Sequence, residues 1–143
     1  MSEAILVEAN GRSYRYPQNP FVVICIDGSE PSTDDNGGGY IERAIEAGQM
    51  PNLERALGHG TSLIANCTIP SFTNPNNLSI VTGVAPSHHG ICGNFYLNGD
   101  TGEAVMMNDP ELLRVPTLLE ALNKAGARIA VVTAKDKLRG LLG

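Results

Sequence analysis

Thr73 is the residue of this sequence whose surroundings point most clearly to covalent chemistry. It lies in the stretch PSFTNPNNLSIVTG, residues 70–83, whose polar, proline-interrupted start precedes a helix predicted from about Asn76 to Thr82. The first N–H groups of a helix have no partner within it and could hold a phosphoryl oxygen beside an attacking hydroxyl. A bound cation would be needed to remove the hydroxyl proton. A threonine near a helix start is also a common cap or turn residue, and Asn76 and Asn77 share this ambiguity between cap and ligand.

Two further groups of polar side chains follow predicted strands. Asp27 directly follows the apolar run FVVICI, residues 21–26. Lys135 and Lys137 follow the run RIAVVTA, residues 128–134. Ligands of open α/β sheets gather at the carboxyl ends of strands, so these side chains and Thr73 are expected at one edge. The carboxylate could bind zinc or magnesium, and the lysines could grip separate anionic groups if their segment is extended. The alternatives are an Asp-Gly turn and a solvated pair of lysines.

Other motifs give less support for a site. His88 and His89 are neighbours that point in different directions in regular structure, and no third ligand has a suitable spacing, which disfavours zinc. The stretch STDDNGGGYIER resembles a calcium loop, but its twelfth position is Arg43 instead of Glu. The sequence has no glycine-rich phosphate-loop motif, so nucleotide binding by such a loop has no support.

The elements that must position these residues alternate between strands and helices. Residues 4–17 predict a β-hairpin that turns at an Asn-Gly dipeptide, and GNFYLNGDTGEAVMM predicts a second hairpin. Apolar runs at residues 21–26, 61–67 and 128–134 are typical of buried parallel strands. Helices are predicted at YIERAIEAG, MPNLERALGHG, PTLLEALNKAG and KDKLRGLLG. The sequence therefore predicts an α/β fold with a mostly parallel sheet flanked by helices.

Composition limits the classes of partner and compartment. The net charge is −5 without any run of Lys or Arg, which argues against nucleic acid or an anionic membrane surface as a partner. No stretch reaches the ~18 apolar residues of a membrane helix, and the N-terminus lacks a signal pattern, so the cytoplasm is the expected location. Cys25, Cys67 and Cys92 form no CxxC pair and are predicted to be reduced thiols with packing roles.

The chain is expected to be part of a larger catalytic domain. Its 143 residues suit a single domain, but three central strands make a thin parallel sheet. The last predicted helix, at KDKLRGLLG, has no closing element after it. Residues 1–143 are therefore interpreted as the N-terminal part of one domain.

Three segments together carry a family resemblance. VICIDG, PSFTNPNNLSIVTGVAPSHHGICGN and VVTAKDKL resemble the phosphonoacetate hydrolases of the alkaline phosphatase superfamily, close to its nucleotide pyrophosphatase/phosphodiesterase branch. The resemblance covers nearly the whole chain and is most specific from Pro70 to Asn94. The wider branch usually has an aromatic residue after the threonine, and TNPNN together with AKDK favours the phosphonoacetate enzymes. The implied fold is a partial alkaline-phosphatase-like fold with an N-terminal β-hairpin.

The resemblance also implies a role for each site residue. Asp27 would be a zinc ligand, and Thr73 would be both nucleophile and zinc ligand. Asn94 would contact a phosphonate oxygen, and Lys135 and Lys137 would hold the charged ends of the substrate. Two zinc ions are implied, with further Asp and His ligands that are not among these residues. The implied reaction is zinc-dependent hydrolysis of the carbon–phosphorus bond of phosphonoacetate to acetate and phosphate.

Two alternatives remain open. The same nucleophile could serve a zinc phosphodiesterase or phosphomonoesterase of the superfamily, and the chain could instead be a non-catalytic α/β module that binds small anions. The expected partner is a small phosphonate, without nucleic acid or membrane, and a homodimer is one assembly considered for the complete protein. The chain alone is expected to be inactive, because two oxygen ligands do not complete a tetrahedral zinc site.

Overall fold

The computed structural model describes residues 5–33 and 37–142. The chain divides into two compact units, one of residues 1–21 and 67–143 and the other of residues 22–66. In chain order the elements are β1 Leu6–Ala9, β2 Arg12–Arg15, α1 Tyr40–Glu46, α2 Pro51–His59, α3 Thr73–Thr82, α4 Pro86–His89, β3 Phe95–Leu97, β4 Ala104–Met106, a 3₁₀ turn Pro110–Leu112, α5 Leu118–Lys124 and α6 Asp136–Leu142. Helices α1 and α2 belong to the smaller unit, and the other elements belong to the larger one.

Both predicted hairpins form. Strands β1 and β2 pair antiparallel, with Val7 opposite Tyr14. Asn10 and Gly11 adopt positive φ angles of 50° and 76°, as a type I′ turn requires. Position 4 of the predicted hairpin lies outside the described residues. Strands β3 and β4 form the second hairpin, also antiparallel, so the strong local turn signals of the sequence are confirmed.

Helix α3 contributes to the core of the larger unit. Its Leu78 is fully buried and packs in one apolar cluster with Ile91, Met107, Leu138 and Leu141. The helix contacts α4, α5 and α6. Because these apolar side chains come from separate segments of the chain, their burial fixes α3 from several directions.

The N-terminal hairpin holds the C-terminal end of α3. The Asn10 side-chain amide donates hydrogen bonds to the carbonyl oxygens of Thr82 and Pro116, at 2.8 and 2.9 Å. Gly83 ends the helix with a left-handed φ of 70°, and a β-carbon at this position would overlap the Tyr14 hydroxyl. Asn10 therefore gives a partner to a carbonyl that has none within the helix.

The three apolar runs that were predicted as central strands are not strands in this structure. No strand is assigned to residues 21–26, 61–67 or 128–134, and the sheets of the described residues are the two antiparallel hairpins. The side chains of Phe21 and Leu63 are 76% and 86% exposed. A parallel strand depends on hydrogen bonds to neighbouring strands, and these runs have no such neighbours among the described residues. The predicted parallel sheet is therefore not shown, whereas the mixed α/β character and the N-terminal hairpin are.

Helices α1, α2, α5 and α6 form where the sequence predicts them. Helix α5 illustrates why, because the Thr117 hydroxyl accepts a hydrogen bond from the Glu120 N–H at 3.0 Å and caps the first turn. None of the described helices has the length and apolar character needed to cross a membrane.

The cysteines carry free thiols, as predicted, but their predicted role in packing is wrong. Cys25, Cys67 and Cys92 are all exposed. Cys25 and Cys67 lie within residues 21–26 and 61–67, two of the runs that were predicted to be buried strands. Their exposure therefore has the same cause as the exposure of the neighbouring apolar side chains.

Candidate active site

Thr73 is the first residue of α3 instead of a residue in the loop before it. The helix begins three residues earlier than predicted, with Phe72 as its N-cap. The Asn76 side-chain amide donates to the Phe72 carbonyl at 2.9 Å, and Pro75 in the first turn needs no partner for an N–H. The polar, proline-interrupted segment therefore supports the helix start, and Thr73 is held on a regular element.

Lys135 contacts Thr73 directly. Its ammonium group donates a hydrogen bond to Thr73 Oγ1 at 3.3 Å. The Lys135 backbone is itself held, because its N–H donates to Thr133 Oγ1 at 3.1 Å and its carbonyl accepts from the Leu138 N–H at 3.0 Å. A positive charge beside a hydroxyl favours the deprotonated form of that hydroxyl. The structure thus joins two of the residues that were predicted to share a site.

Asn94 is tied to the start of α3. The backbone N–H of Asn74 donates to Asn94 Oδ1 at 3.2 Å, and the Asn94 carbonyl accepts from the Met107 N–H at 2.8 Å. Because Oδ1 is the acceptor in the first bond, Nδ2 is the atom of the Asn94 side chain that can donate to an anion. Asn94 is therefore oriented with its Nδ2 donor available for an anion.

The start of α3 offers fewer N–H groups to an anion than the sequence predicts. The N–H of its second residue is used by Asn94, its third residue is Pro75, and the N–H of its fourth bonds to the N-cap carbonyl at 3.2 Å. Among the residues that the structure describes, this leaves the N–H of Thr73 as the unpaired donor of the first turn. An anion here would depend on this N–H together with the Asn94 and Lys135 side chains.

Asn74 is a buried residue whose role was not predicted. It is fully buried, and its side-chain amide donates to the Met107 carbonyl at 2.7 Å. Its Oδ1 atom has no hydrogen-bond partner in the described part of the chain. Asn74 and Asn94 both bond to the backbone of Met107, so the end of the second hairpin holds the start of α3 and Asn94 together. The signal in the sequence was a second polar residue directly after Thr73.

Lys137 does not share the position of Lys135. It lies in the first turn of α6, which begins at Asp136, so the extended segment that would turn both lysines to one side is not formed. Its side chain is half-buried and makes no hydrogen bond or ion pair within residues 5–33 and 37–142. The structure therefore brings Thr73, Lys135 and Asn94 together and leaves Lys137 without a contact to them.

Asp27 belongs to the smaller unit and lies in a turn, not at the end of a strand. Gly28 follows it with a positive φ of 78°, and the Ser29 hydroxyl donates to the Ile26 carbonyl at 2.9 Å. Asp27 is exposed. The Asp-Gly turn, which the sequence allowed as an alternative, is therefore the local structure around this predicted ligand.

The described residues do not by themselves supply a complete zinc site. No three His, Cys, Asp or Glu side chains come together to hold a metal ion within residues 5–33 and 37–142. The predicted ligands Asp27 and Thr73 offer two oxygen donors of a kind that zinc accepts, whereas a tetrahedral site needs four ligands. A zinc site that used them would need ligands from outside the described residues.

His89 is fully buried, and both of its ring nitrogens have partners. Its Nδ1 accepts from the Ile91 N–H at 3.1 Å, and its Nε2 lies 3.0 Å from Ser79 Oγ. Burial lowers the pKa of His89 below its usual value, and a hydrogen bond to the Pro75 carbonyl opposes this effect. A buried imidazole with these partners is a structural link and not an open ligand, whereas His88 is exposed.

Comparisons with known proteins agree with the resemblance seen in the sequence. The family model described as type I phosphodiesterase / nucleotide pyrophosphatase matches residues 21–137. An uncharacterised pyrophosphatase/phosphodiesterase of Schizosaccharomyces pombe is 31% identical over 119 residues, and the match covers 80% of this chain and 22% of that protein.

Solved structures of phosphonoacetate hydrolase from Sinorhizobium meliloti 1021 are also similar to this chain. The complexes with phosphonoformate and with phosphonoacetate are 54% and 53% identical to it, each with a TM-score of 0.88. Each match covers 99% of this chain and 33% of the solved chain, so the 143 residues span about a third of that enzyme. The partial alkaline-phosphatase-like α/β fold is thereby confirmed. Because the family model covers most of its length, the chain belongs to the type I phosphodiesterase / nucleotide pyrophosphatase family.

Proposed function

We propose that the protein containing this chain is a zinc-dependent phosphonoacetate hydrolase, which converts phosphonoacetate to acetate and phosphate. The observation that carries the proposal is the hydrogen bond from the Lys135 ammonium to the Thr73 hydroxyl at the start of α3. Identities of 54% and 53% to the Sinorhizobium meliloti enzyme, solved with phosphonoformate and phosphonoacetate, support the choice of substrate. Residues 1–143 would form the N-terminal part of the catalytic domain.

Thr73 is the proposed nucleophile, and Lys135 would stabilise its oxyanion across the 3.3 Å contact. The hydroxyl proton of Thr73 passes to solvent, attack forms a bond between Thr73 Oγ1 and phosphorus, and the carbon–phosphorus bond breaks. The electron pair of the broken bond passes to the departing carbon, which becomes the enolate of acetate and takes a proton from solvent. Water then hydrolyses the phosphorylated threonine, which releases phosphate and restores the hydroxyl.

Asn94 and Lys137 are proposed to bind the two ends of the substrate. Asn94 would donate from Nδ2 to a phosphonate oxygen, because its Oδ1 is held by the Asn74 N–H. Lys137 would approach the carboxylate and stabilise the enolate that forms there. Cleavage of a phosphate ester produces no carbanion, so this second positive charge would serve the carbon–phosphorus bond specifically.

Asp27 and Thr73 are the residues proposed to contact zinc, with two ions in the complete protein. When bound, zinc would neutralise phosphonate charge and lower the pKa of the nucleophilic hydroxyl. The remaining ligands would come from residues outside this chain.

Free thiols at Cys25, Cys67 and Cys92 are stable in a reducing compartment, so a cytoplasmic location is proposed, and a homodimer stays a prediction.

The proposal is tested on the protein encoded by the complete reading frame, supplied with zinc. Phosphate release from phosphonoacetate is compared with hydrolysis of a nucleotide phosphodiester, and the expected result is a higher kcat/KM for phosphonoacetate. A preference for the diester would overturn the assignment.

A phosphodiesterase is the second candidate function. The family match and the Schizosaccharomyces pombe relative, described as a pyrophosphatase/phosphodiesterase, both favour it. The same nucleophile and the same Lys135 contact would serve diester cleavage, so the geometry of Thr73 does not separate the two reactions. A substrate without a carboxylate distinguishes the two candidate functions. A phosphonoacetate hydrolase should turn over methylphosphonate far more slowly than phosphonoacetate, because no enolate can form.

A further inference from the structure

His89 connects the two segments that present Thr73 and Asn94. The histidine ends α4, and its fully buried ring lies against α3 on one side and against the chain that follows α4 on the other. Few fully buried polar side chains occur among the described residues, and this one is bonded through both ring nitrogens to separate segments.

On the side of α3, the imidazole is bonded to the first two turns of the helix. Nε2 lies 3.0 Å from Ser79 Oγ, and the ring is hydrogen-bonded to the Pro75 carbonyl. Pro75 and Ser79 follow Thr73 by two and six positions in the same helix. A shift of these contacts would move the helix start, and the Thr73 hydroxyl would move with it.

On the other side, Nδ1 accepts a hydrogen bond from the Ile91 N–H at 3.1 Å. Ile91 is itself fully buried in the apolar cluster beneath α3, and Gly93 between it and Asn94 is also buried. The His89 carbonyl accepts from the Arg114 N–H at 3.0 Å, which fixes the backbone at the turn. The His89 ring therefore anchors the backbone segment from Ile91 to Asn94 at its first residue.

The bonding pattern requires a neutral ring of one tautomer. Nδ1 must be unprotonated to accept from the Ile91 N–H, so the proton is on Nε2, where it faces Pro75 and Ser79. Burial lowers the pKa of His89, which favours this neutral form at neutral pH. Each ring nitrogen thus has one defined role, as acceptor or as donor.

We propose that His89 is a positioning residue, which fixes the Thr73 hydroxyl relative to the Asn94 amide by bridging α3 and residues 91–94. This inference rests on the proposed function, in which Thr73 attacks phosphorus and Asn94 binds the phosphonate. A misplacement of about 1 Å between a nucleophile and its substrate can cost about a hundredfold in rate, so a bridge of this kind affects turnover without touching the substrate.

The test separates the two arms of the ring in the complete protein. His89→Asn keeps an acceptor near the position of Nδ1, His89→Gln keeps a donor near the position of Nε2, and Ser79→Ala removes one partner on α3. Each His89 variant should lower kcat for phosphonoacetate about tenfold or more, with a KM within about threefold of the starting value, because the groups that bind substrate remain. Rates are divided by the folded fraction, measured by circular dichroism, so that loss of folded protein does not count as loss of turnover.

The neighbouring histidine is the matched control. His88 is exposed, and its Nδ1 lies 3.2 Å from the Ser87 hydroxyl, so His88→Asn and His88→Gln should leave kcat unchanged. If His89→Asn and His89→Gln kept kcat within about twofold after this normalisation, His89 would have no positioning role. Ser79→Ala decides the matter if the His89 variants do not fold: a folded Ser79→Ala protein with unchanged kcat would overturn the inference, and a lower kcat at unchanged KM would support it. Turnover that survives Thr73→Ala would instead overturn the proposed function.

Discussion

The ammonium nitrogen of Lys135 lies 3.3 Å from the hydroxyl oxygen of Thr73, although 62 positions of the chain separate the two residues. The contact joins the residue before α6 to the first residue of α3, and both helices supply side chains to the same apolar cluster. Packing of the two helices therefore brings the backbone of Lys135 close to the start of α3. Lys135 is placed to act on the hydroxyl of Thr73, the proposed nucleophile, whereas Lys137 has no such contact among the described residues.

The two lysines should differ in their effect on substrate choice. Lys135→Ala should lower kcat for both phosphonoacetate and an activated phosphate ester, by about 10²–10³, because the same threonine oxyanion forms in both reactions. Lys137→Ala should cost much more on phosphonoacetate, since only that reaction produces an enolate. Steady-state kinetics of both variants on both substrates measure the difference. If the ratio of kcat for phosphonoacetate to kcat for the phosphate ester were the same in the two variants, the two lysines would not have separate roles.

Thr73→Ala should abolish turnover and leave the fold intact. Phe72 is the N-cap of α3 and makes no side-chain cap bond, so the Thr73 hydroxyl is not needed to start the helix. The expected loss of stability is below about 1 kcal/mol, less than removal of a true cap costs. Phosphate release and thermal unfolding are measured together, with Thr73→Ser as the control that keeps a hydroxyl. A near-normal rate in Thr73→Ala would make the residue structural.

Asn94→Asp tests which atom of this side chain faces the substrate. The aspartate keeps an acceptor for the Asn74 N–H, which bonds to Asn94 Oδ1 at 3.2 Å, but replaces Nδ2 with a negative oxygen. Like charges in contact cost several kcal/mol, so KM for phosphonoacetate should rise on the order of tenfold or more. Asn94→Ala should raise KM less, although it loses the bond to Asn74. If Asp were the milder substitution, Nδ2 would not face the phosphonate.

The free energy of unfolding should fall with acid because of His89. Burial lowers the pKa of the folded His89 below 6.5, so the unfolded chain takes up a proton below about pH 6.5 while the folded chain does not. The contribution of His89 to the free energy of unfolding is therefore fully present above pH 6.5 and is lost as the pH falls through the folded pKa. The slope of this loss is at most about 1.4 kcal/mol per pH unit.

Denaturant unfolding at a series of pH values measures that slope. His89→Gln should remove the part of the acid dependence that this histidine causes, whereas His88→Gln at the exposed neighbouring position should keep it. An unchanged slope in His89→Gln would show that the acid dependence has another source.

Local signals in the sequence predicted local structure. The Asn10-Gly11 dipeptide predicted a type I′ hairpin because both residues tolerate positive φ, and the structure has φ angles of 50° and 76° there. The start of α3 was predicted too late, because Pro75 suggested a break and the bond from the Asn76 side chain to the Phe72 carbonyl has no signature in the sequence. This bond from a side chain of the first turn back to the residue before the helix is the part that the sequence pattern alone does not give.

Long-range pairing was harder to predict. The runs at residues 21–26 and 128–134 are apolar and β-branched, but a strand needs a neighbour, and none pairs with them among the described residues. The grouping of Thr73 with Lys135 was predicted from the rule that ligands gather at strand ends. The two residues do meet, although neither follows a strand in this structure. The links through Asn74 and His89 were missed because each depends on which backbone groups a folded chain leaves unpaired.

The apolar runs of the chain include highly exposed side chains, and that of Val132 is 96% exposed. Exposed apolar patches of this kind drive association, so residues 1–143 produced alone should self-associate. They should also lack hydrolase activity, because Asp27 and Thr73 alone do not complete a tetrahedral zinc site. Val132→Lys should reduce that association, which sedimentation velocity measures. In the longer protein, the same substitution should destabilise by several kcal/mol if residues 128–134 become a buried strand of a parallel sheet, because a lysine there would be desolvated.

Thr101→Lys is the control for both measurements, since Thr101 is exposed in the loop between β3 and β4. It should change neither the association of residues 1–143 nor the stability of the longer protein, because surface substitutions usually stay within about 0.5 kcal/mol. If Val132→Lys were tolerated in the longer protein as well as Thr101→Lys, residues 128–134 would not be a buried strand there. The α/β fold would then have to form its sheet from other segments, and the expectation that Lys135 follows a strand would fall with it.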